Sequence, residues 1–255
     1  MFNAEYFTYD GKPCTEFGLV IADFDDSNVK ETDAFSPTLS LLKAPGQVRF
    51  FHGKVEYDTA PTCEFSVISE EPLFGGARSV IMSWLVGRNE FKPLVFVGGD
   101  NVEFTYYCIF TGAKTIWVNG QCHGFRLTAE FDSQFARGKG TEVQVGAGTH
   151  TVELFNKSDI DEYVYPIVEF QGSGIDIVNE TDDVNRHFAF DGLPGVGVTI
   201  VDNELRHIFR EDDGPRLSHF TSKRWLRLKK GKNILRITAS GTATIKCPYY
   251  AMIGY

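Results

Sequence analysis

Short runs of aromatic and β-branched residues, each cut off within a few positions by glycine or a polar turn, recur along nearly all of this 255-residue chain. Such residues suit the pleated, half-buried surface of a strand, and glycine opens the turns between strands. With 22 Phe, 10 Tyr and 25 Gly against 3 Met, the composition agrees with the pattern. One segment breaks it. In residues 77–86, Val80, Ile81, Trp84 and Leu85 fall at i, i+1, i+4 and i+5, a helical stripe that Gly87 would close. The chain therefore reads as mainly β with one helix.

Phe7-Thr8-Tyr9 runs into the turn pair Asp10-Gly11, and residues 17–21 form the next apolar run. Residues 22–40 are acidic and rich in Ser and Thr, so they read as loop. Residues 48–52 and 54–57, with Gly53 between, predict a hairpin carrying large aromatics. Pro61 precedes an alternating strand at 63–68. After the helix, strands are expected at 94–97, 104–110, 115–118 and 125–131, with Asn119-Gly120 turning between the last two. A glycine-rich polar stretch at 135–141 marks a domain boundary. Beyond it, short strands are expected at 143–145, 150–155, 164–171, 175–178, 187–190, 197–202, 206–209, 225–228, 234–239 and 243–249, which predicts a β-sandwich or jelly roll. The expected domains are 1–137 and 138–255, each long enough to bury its own core.

Charge and cysteine use exclude whole classes. The net charge of -9 argues against a nucleic-acid partner. No run approaches a membrane span, so no membrane insertion is expected, and residues 1–5 lack the basic and apolar regions of a signal peptide. Five cysteines without CxxC spacing fit neither a disulfide framework nor a zinc site, and point to assembly in a reducing compartment. Without a secretory signal, the sequons at Asn156 and Asn179 read as chance. Residues 1–137 sum to about -7 and 138–255 to about -2. In the second part, Lys223, Arg224, Arg227, Lys229, Lys230, Lys232, Arg236 and Lys246 follow one another with no acid between them, so the balancing acids lie in 138–222.

No catalytic, metal-binding or cofactor-binding residues are expected. GxSxG, HExxH and a Walker lysine loop are all missing. Gly192-Leu193-Pro194-Gly195-Val196-Gly197 lacks phosphate-loop spacing and reads as a turn. Asp23, Asp25, Asp26 and Asn28 lack the glycine and terminal Glu of an EF-hand loop and read as a solvated acidic segment. The six histidines do not pair at metal-ligand spacings, and Glu169 and Asp202 read as surface carboxylates rather than a glycosidase pair. Trp225, among basic residues, is a core or edge tryptophan with a glycan or partner platform as the alternative.

The order of these features resembles one family. An aromatic hairpin leads to one helix ending in Trp84-Leu85 and then to Gly124-Phe125-Arg126-Leu127-Thr128-Ala129-Glu130-Phe131. The second half opens on residues 165–174, continues with Thr199-Ile200-Val201-Asp202, and closes on Leu228, Gly231, Asn233 and Leu235 in an L-x-x-G-x-N-x-L frame. This looks like the distal tail proteins (Dit) of long-tailed, siphovirus-type bacteriophages. One departure is that Asp132-Ser133-Gln134-Phe135 lacks the proline many members carry after the last strand of the first domain.

The resemblance implies a structural virion protein at the distal end of the tail. It implies a homohexameric ring made by the N-terminal domain, partly through a β-hairpin belt, and a C-terminal galectin-like β-sandwich. The implied partners are the tail-tube protein, the tape-measure protein, the tail-associated hub or lysin protein, and baseplate or receptor-binding proteins. At this length the chain looks like a short form without a carbohydrate-binding insertion. Independently of the resemblance, residues 43–57 are the best candidate for a subunit interface. They combine Phe50, Phe51 and Tyr57 with Lys43, Arg49 and Lys54 between Pro and Gly breaks. The alternative function is a lectin-like adhesion protein using Trp225.

Overall fold

The computed structural model describes residues 4–22, 38–42, 45–46, 48, 51–56, 61–98, 104–210 and 217–252. It divides into two compact units, Met1–Ala136 with Met252–Tyr255, and Arg137–Ala251.

The first unit carries β1 (Tyr6–Tyr9), β2 (Lys12–Pro13), a 3-10 turn (Cys14–Phe17), β3 (Leu19–Ala22), β4 (Thr38–Leu42), β5 (Phe51–Glu56), β6 (Thr62–Ser69), α1 (Gly75–Val86), β7 (Lys92–Val97), β8 (Thr105–Val118) and β9 (Gln121–Phe131). Antiparallel pairing runs β2-β1-β7-β8-β9-β6-β3. The Ile21 N–H donates to the Glu5 carbonyl at 2.9 Å, which brings β3 back to the start of β1 and curls the sheet on itself. The predicted strands at 104–110 and 115–118 are one long strand, β8, with register shifts between Phe110 and Gly112 and between Ile116 and Trp117. Asn119 and Gly120, at φ 51° and 78°, make the expected tight turn into β9.

The helical stripe reads correctly except at Val80. Ile81, Trp84 and Leu85 are buried while Val80 faces solvent. Trp84 lies parallel to Phe7 with ring centroids 5.8 Å apart, and its indole N–H donates to the Tyr9 carbonyl at 3.1 Å. Phe65, Phe96, Phe110 and Phe131 complete an aromatic core between helix and sheet. Edge-to-face contacts such as Tyr9–Phe110 at 4.8 Å add to the burial.

The second unit has β10 (Phe135–Val145), β11 (Gly148–Asn156), β12 (Ile167–Gln171), β13 (Ile175–Asn179), β14 (His187–Phe190), β15 (Val198–Asp202), β16 (His207–Arg210), β17 (Gly231–Ala239) and β18 (Thr242–Met252). One sheet runs β16-β15-β12-β18-β10 and the other β11-β17-β13-β14. Alternate residues of β17, namely Asn233, Leu235, Ile237 and Ala239, point into a core shared with Val168, Phe170, Phe188, Phe190 and Ile245. This is a β-sandwich.

The stretch at 135–141, expected to mark a domain boundary, lies in β10, and the chain passes between units inside that strand. Of its two glycines, Gly140 serves packing. A Cβ on Gly140 would stand 2.1 Å from the Cys247 carbonyl oxygen of β18, so only glycine permits that approach. One reading needs correction: residues 225–228 are not a strand. Leu228 meets Val164 through one isolated bridge, and Trp225 is half-buried against Phe220 with ring centroids 4.9 Å apart.

Candidate assembly and ligand-binding sites

The aromatic hairpin has a different partner from the one expected. Within the described residues the chain does not turn at Gly53. β5 runs straight through Gly53, which lies opposite Leu41 of β4, a strand whose first three residues, Thr38 to Ser40, fall in the segment expected to be loop. A glycine between two apolar runs looks like a turn until the distant strand that pairs with it is known. Of the expected interface residues, Phe51 and Lys54 lie on β5, opposite Leu42 and Ser40. Lys43, Arg49, Phe50 and Tyr57 lie outside the described residues, as do Asp23, Asp25, Asp26 and Asn28. Among the described residues β4 and β5 pair only with each other. A ribbon of two strands is marginally stable in water and gains from a further strand on its edge.

An exposed patch of the first unit was not singled out from sequence. Phe74 is 75% exposed, Trp117 54% and Val118 47%. The Arg78 guanidinium stands 5.3 Å from the Trp117 ring centre, and the indole N–H donates to Thr115 Oγ1 at 2.9 Å. Sequence reading missed this patch because Trp117 sits in an apolar run, Ile116-Trp117-Val118, that looks like any core strand.

In the second unit most of the basic run is taken up by acids, while Lys223 and Arg224 donate to the Leu217 and Asn185 carbonyls. Arg227 binds Asp182 at 2.7 Å, Lys230 binds Asp161 at 2.8 Å, Arg236 binds Glu180 at 3.1 Å and Lys246 binds Glu169 at 2.6 Å. Lys232 pairs with Glu153. Asp182 is the centre of the tightest group. Its side chain is 3% exposed, accepts the Tyr163 hydroxyl at 2.9 Å, and has Lys229 at 3.6 Å. The Arg227 guanidinium also lies 3.9 Å from the Tyr163 ring centre. Burial pushes the Asp182 carboxyl up, but the bonds from Arg227 and Tyr163 outweigh it and hold the group below the ordinary carboxylate range.

The L-x-x-G-x-N-x-L frame has a physical use. Asn233 is fully buried; its Oδ1 accepts the Lys229 N–H at 2.9 Å and Asn179 Nδ2 at 2.9 Å. Its Nδ2 donates to the carbonyls of Lys229 at 2.8 Å and Gly231 at 3.0 Å. The sequon asparagines are structural too. Asn156 and Asn179 are 1% and 4% exposed, and each accepts the N–H two residues on.

Glu169 is engaged by Lys246, and Asp202 accepts the N–H groups of Glu204 and Leu205 at 3.0 and 2.9 Å. Neither is poised as half of an acid–base pair. The 192–197 turn is held by buried Arg210, which donates to the Pro194 carbonyl at 2.7 Å and to the Val196 carbonyl. Trp225 lines a shallow cleft of about 200 Å³, open solvent included, with Arg186, His187, Arg224 and Arg227.

Together these define a two-unit antiparallel β protein that carries, among the described residues, a two-stranded ribbon, an exposed aromatic patch and a small cleft. The family described as "Phage tail protein N-terminal domain" matches residues 2–133, and the chain belongs to it. It is a phage tail protein. Its fold is similar to SPP1 Dit, described as a paradigm of the hub adsorption apparatus in phages infecting Gram-positive hosts, with TM-score 0.65 and 15% identity over 96% of this chain and 98% of that one. It is also similar to a chain of the phage P2 baseplate in its activated conformation with Ca, with TM-score 0.58 and 8% identity over 97% and 98%. The Sr form of that baseplate gives TM-score 0.57 at 8% identity over the same shares. No curated protein matches the sequence.

Proposed function

We propose that the protein is a distal tail hub subunit, six copies of which close into a ring joining the tail tube to the baseplate at the distal end of the virion. The observation that carries this reading is the likeness to SPP1 Dit over 96% of the chain, together with membership of a phage tail family. The first unit, residues 1–137 in the sequence division, makes the ring. The second, residues 138–255, meets baseplate or receptor-binding proteins. The tail-tube, tape-measure and tail-associated hub or lysin proteins are its neighbours in the tail. The role is structural and involves no catalysis.

A ring needs a heterologous interface, in which one face of each subunit meets a different face of the next. The β4–β5 ribbon suits that task, since its edge can add to a neighbour's sheet and its aromatics can be buried there. Phe51 and Lys54 on β5, with Lys43, Arg49, Phe50 and Tyr57 beside it in the chain, are the contact residues. Light scattering on the full-length protein at high concentration is expected to show a hexamer or a precursor that assembles on the tail-tube protein. Phe50→Asp and Phe51→Asp are expected to weaken assembly, because burying an unpaired carboxylate costs several kcal/mol. A strictly monomeric protein, alone and with tail-tube protein, sinks the ring. Wild-type assembly by both variants removes the ribbon from it.

A further inference from the structure

We infer that the exposed patch of Phe74, Trp117 and Val118 is the seat for the tip of a β4–β5 ribbon, residues 43–50, contributed by a second copy of the chain. The inference rests on the ring reading above and names the face that receives the ribbon. The patch is one surface. Trp117 stands opposite Cys122 and Val118 opposite Gln121 at the end of the β8–β9 hairpin. The Cys122 carbonyl accepts the Leu73 N–H at 2.7 Å, which sets Phe74 beside that end. Thr115 holds the indole N–H and Arg78 lies over the ring, so the aromatic is fixed before a partner arrives. Fixed side chains lose little entropy on binding, and tryptophan and arginine are enriched among the residues that carry interface energy.

Charge selects the occupant. Glu70 and Glu71 are exposed on the segment that leads to Phe74. A contact of His123 Nδ1 with the Ser69 carbonyl at 3.1 Å holds that segment against the same hairpin. Neither carboxylate has an ion-pair partner among the described residues, and the Arg78 charge is turned to the Trp117 ring. The opposite charge sits in the ribbon. No acid occurs from Ala34 to Val55, a stretch that carries Lys43, Arg49 and Lys54 within a first domain that sums to about -7. Two of those cations belong to the tip.

The tip also brings apolar surface. The β4–β5 ladder ends at Leu42 and Phe51, and the chain turns at Pro45-Gly46, with Gly46 at φ 80°. Val48, just past the turn, is 91% exposed. An apolar side chain between two cations therefore meets an aromatic patch beside two carboxylates. The giving and receiving faces are different parts of the first unit. Each copy can give its tip to one neighbour and take a tip from the other, the head-to-tail contact that closes a ring.

The test is disulfide cross-linking of the full chain. Val48→Cys and Val118→Cys are made as separate variants, both at exposed positions that leave the core intact. Background is low, because Cys14, Cys108, Cys122 and Cys247 are buried and Cys63 is partly so. The variants are mixed in dilute solution, concentrated and mildly oxidised. The mixture is expected to give a covalent dimer, each variant alone only monomer, and the double variant a ladder of higher multimers. Glu70→Lys with Glu71→Lys is expected to weaken assembly about tenfold at low salt, and adding Lys43→Glu with Arg49→Glu to restore most of it. Light scattering of the wild type reads the ring separately. A wild type that assembles while the mixture yields no dimer overturns this seat and leaves the ring standing. So does a double variant linked only within its own chain, or charge reversal without effect. A wild type that stays monomeric, alone and with tail-tube protein, overturns both.

Discussion

Replacing Asn233 with Ala removes four hydrogen bonds from the centre of the second unit, and the loss can be followed group by group. The Lys229 carbonyl keeps a donor, because Asn156 Nδ2 also reaches it at 3.2 Å. Asn179 Nδ2 keeps the Arg227 carbonyl at 3.0 Å. The Lys229 N–H and the Gly231 carbonyl lose the partners they have in Asn233. Each buried group stripped of its partner costs about 1–3 kcal/mol, and truncating a fully buried side chain adds a packing loss. Asn233→Ala should therefore destabilise the second unit by about 3–5 kcal/mol. For a unit of this size that is a fall of roughly 10–20 °C in its melting temperature. Because the units need not unfold together, the assay is urea denaturation followed by Trp225 fluorescence, with Trp84 and Trp117 replaced by Phe in both wild type and variant. Asn156→Ala supplies a comparison: it strips one bond from the same carbonyl and the Ser158 N–H from its cap, and should cost less. A cost below about 1 kcal/mol for Asn233→Ala would show that the clamp does not hold the 229–233 turn.

Asp182→Asn should cost about 2–3 kcal/mol near neutral pH, because it leaves Arg227 without its counter-charge at a half-buried site. The folded carboxyl lies below its unfolded value, so its contribution is complete above the unfolded pKa of about 4 and fades as pH falls through the folded value. The gap between wild type and variant should close in acid, and a gap of constant size across pH 2–7 would refute the assignment. Burial, helped by the neighbouring Cys63 and Asp132, pushes the Cys108 thiol up to about 12, and burial pushes the Cys247 thiol up to about 11. Both should resist alkylation in the native protein at about pH 8 and react on unfolding, read by mass spectrometry of the labelled peptides. Rapid native labelling of Cys108 would mean that the core opens locally.

The parts of this fold that were legible in the sequence are those set by neighbours in the chain. The α1 stripe, the Asn119-Gly120 turn and the alternation of β6 and β17 each depend on period and turn chemistry within a few residues. The basic run was visible as well, and so was the need for balancing acids before it. Which acid meets which base was not, because Arg227 and Asp182 are 45 positions apart and meet only when the two segments are folded together. The same limit governs the errors. Gly53 looks like a break because glycine usually ends strands, yet it faces Leu41 of β4. Asn156 and Asn179 read as chance sequons, and only the fold shows Asn233 and the Lys229 and Arg227 carbonyls closing around them. Local sequence determines what a segment can become; a partner far away in the chain decides which of its groups are buried, paired or left with a free donor, as in Arg186.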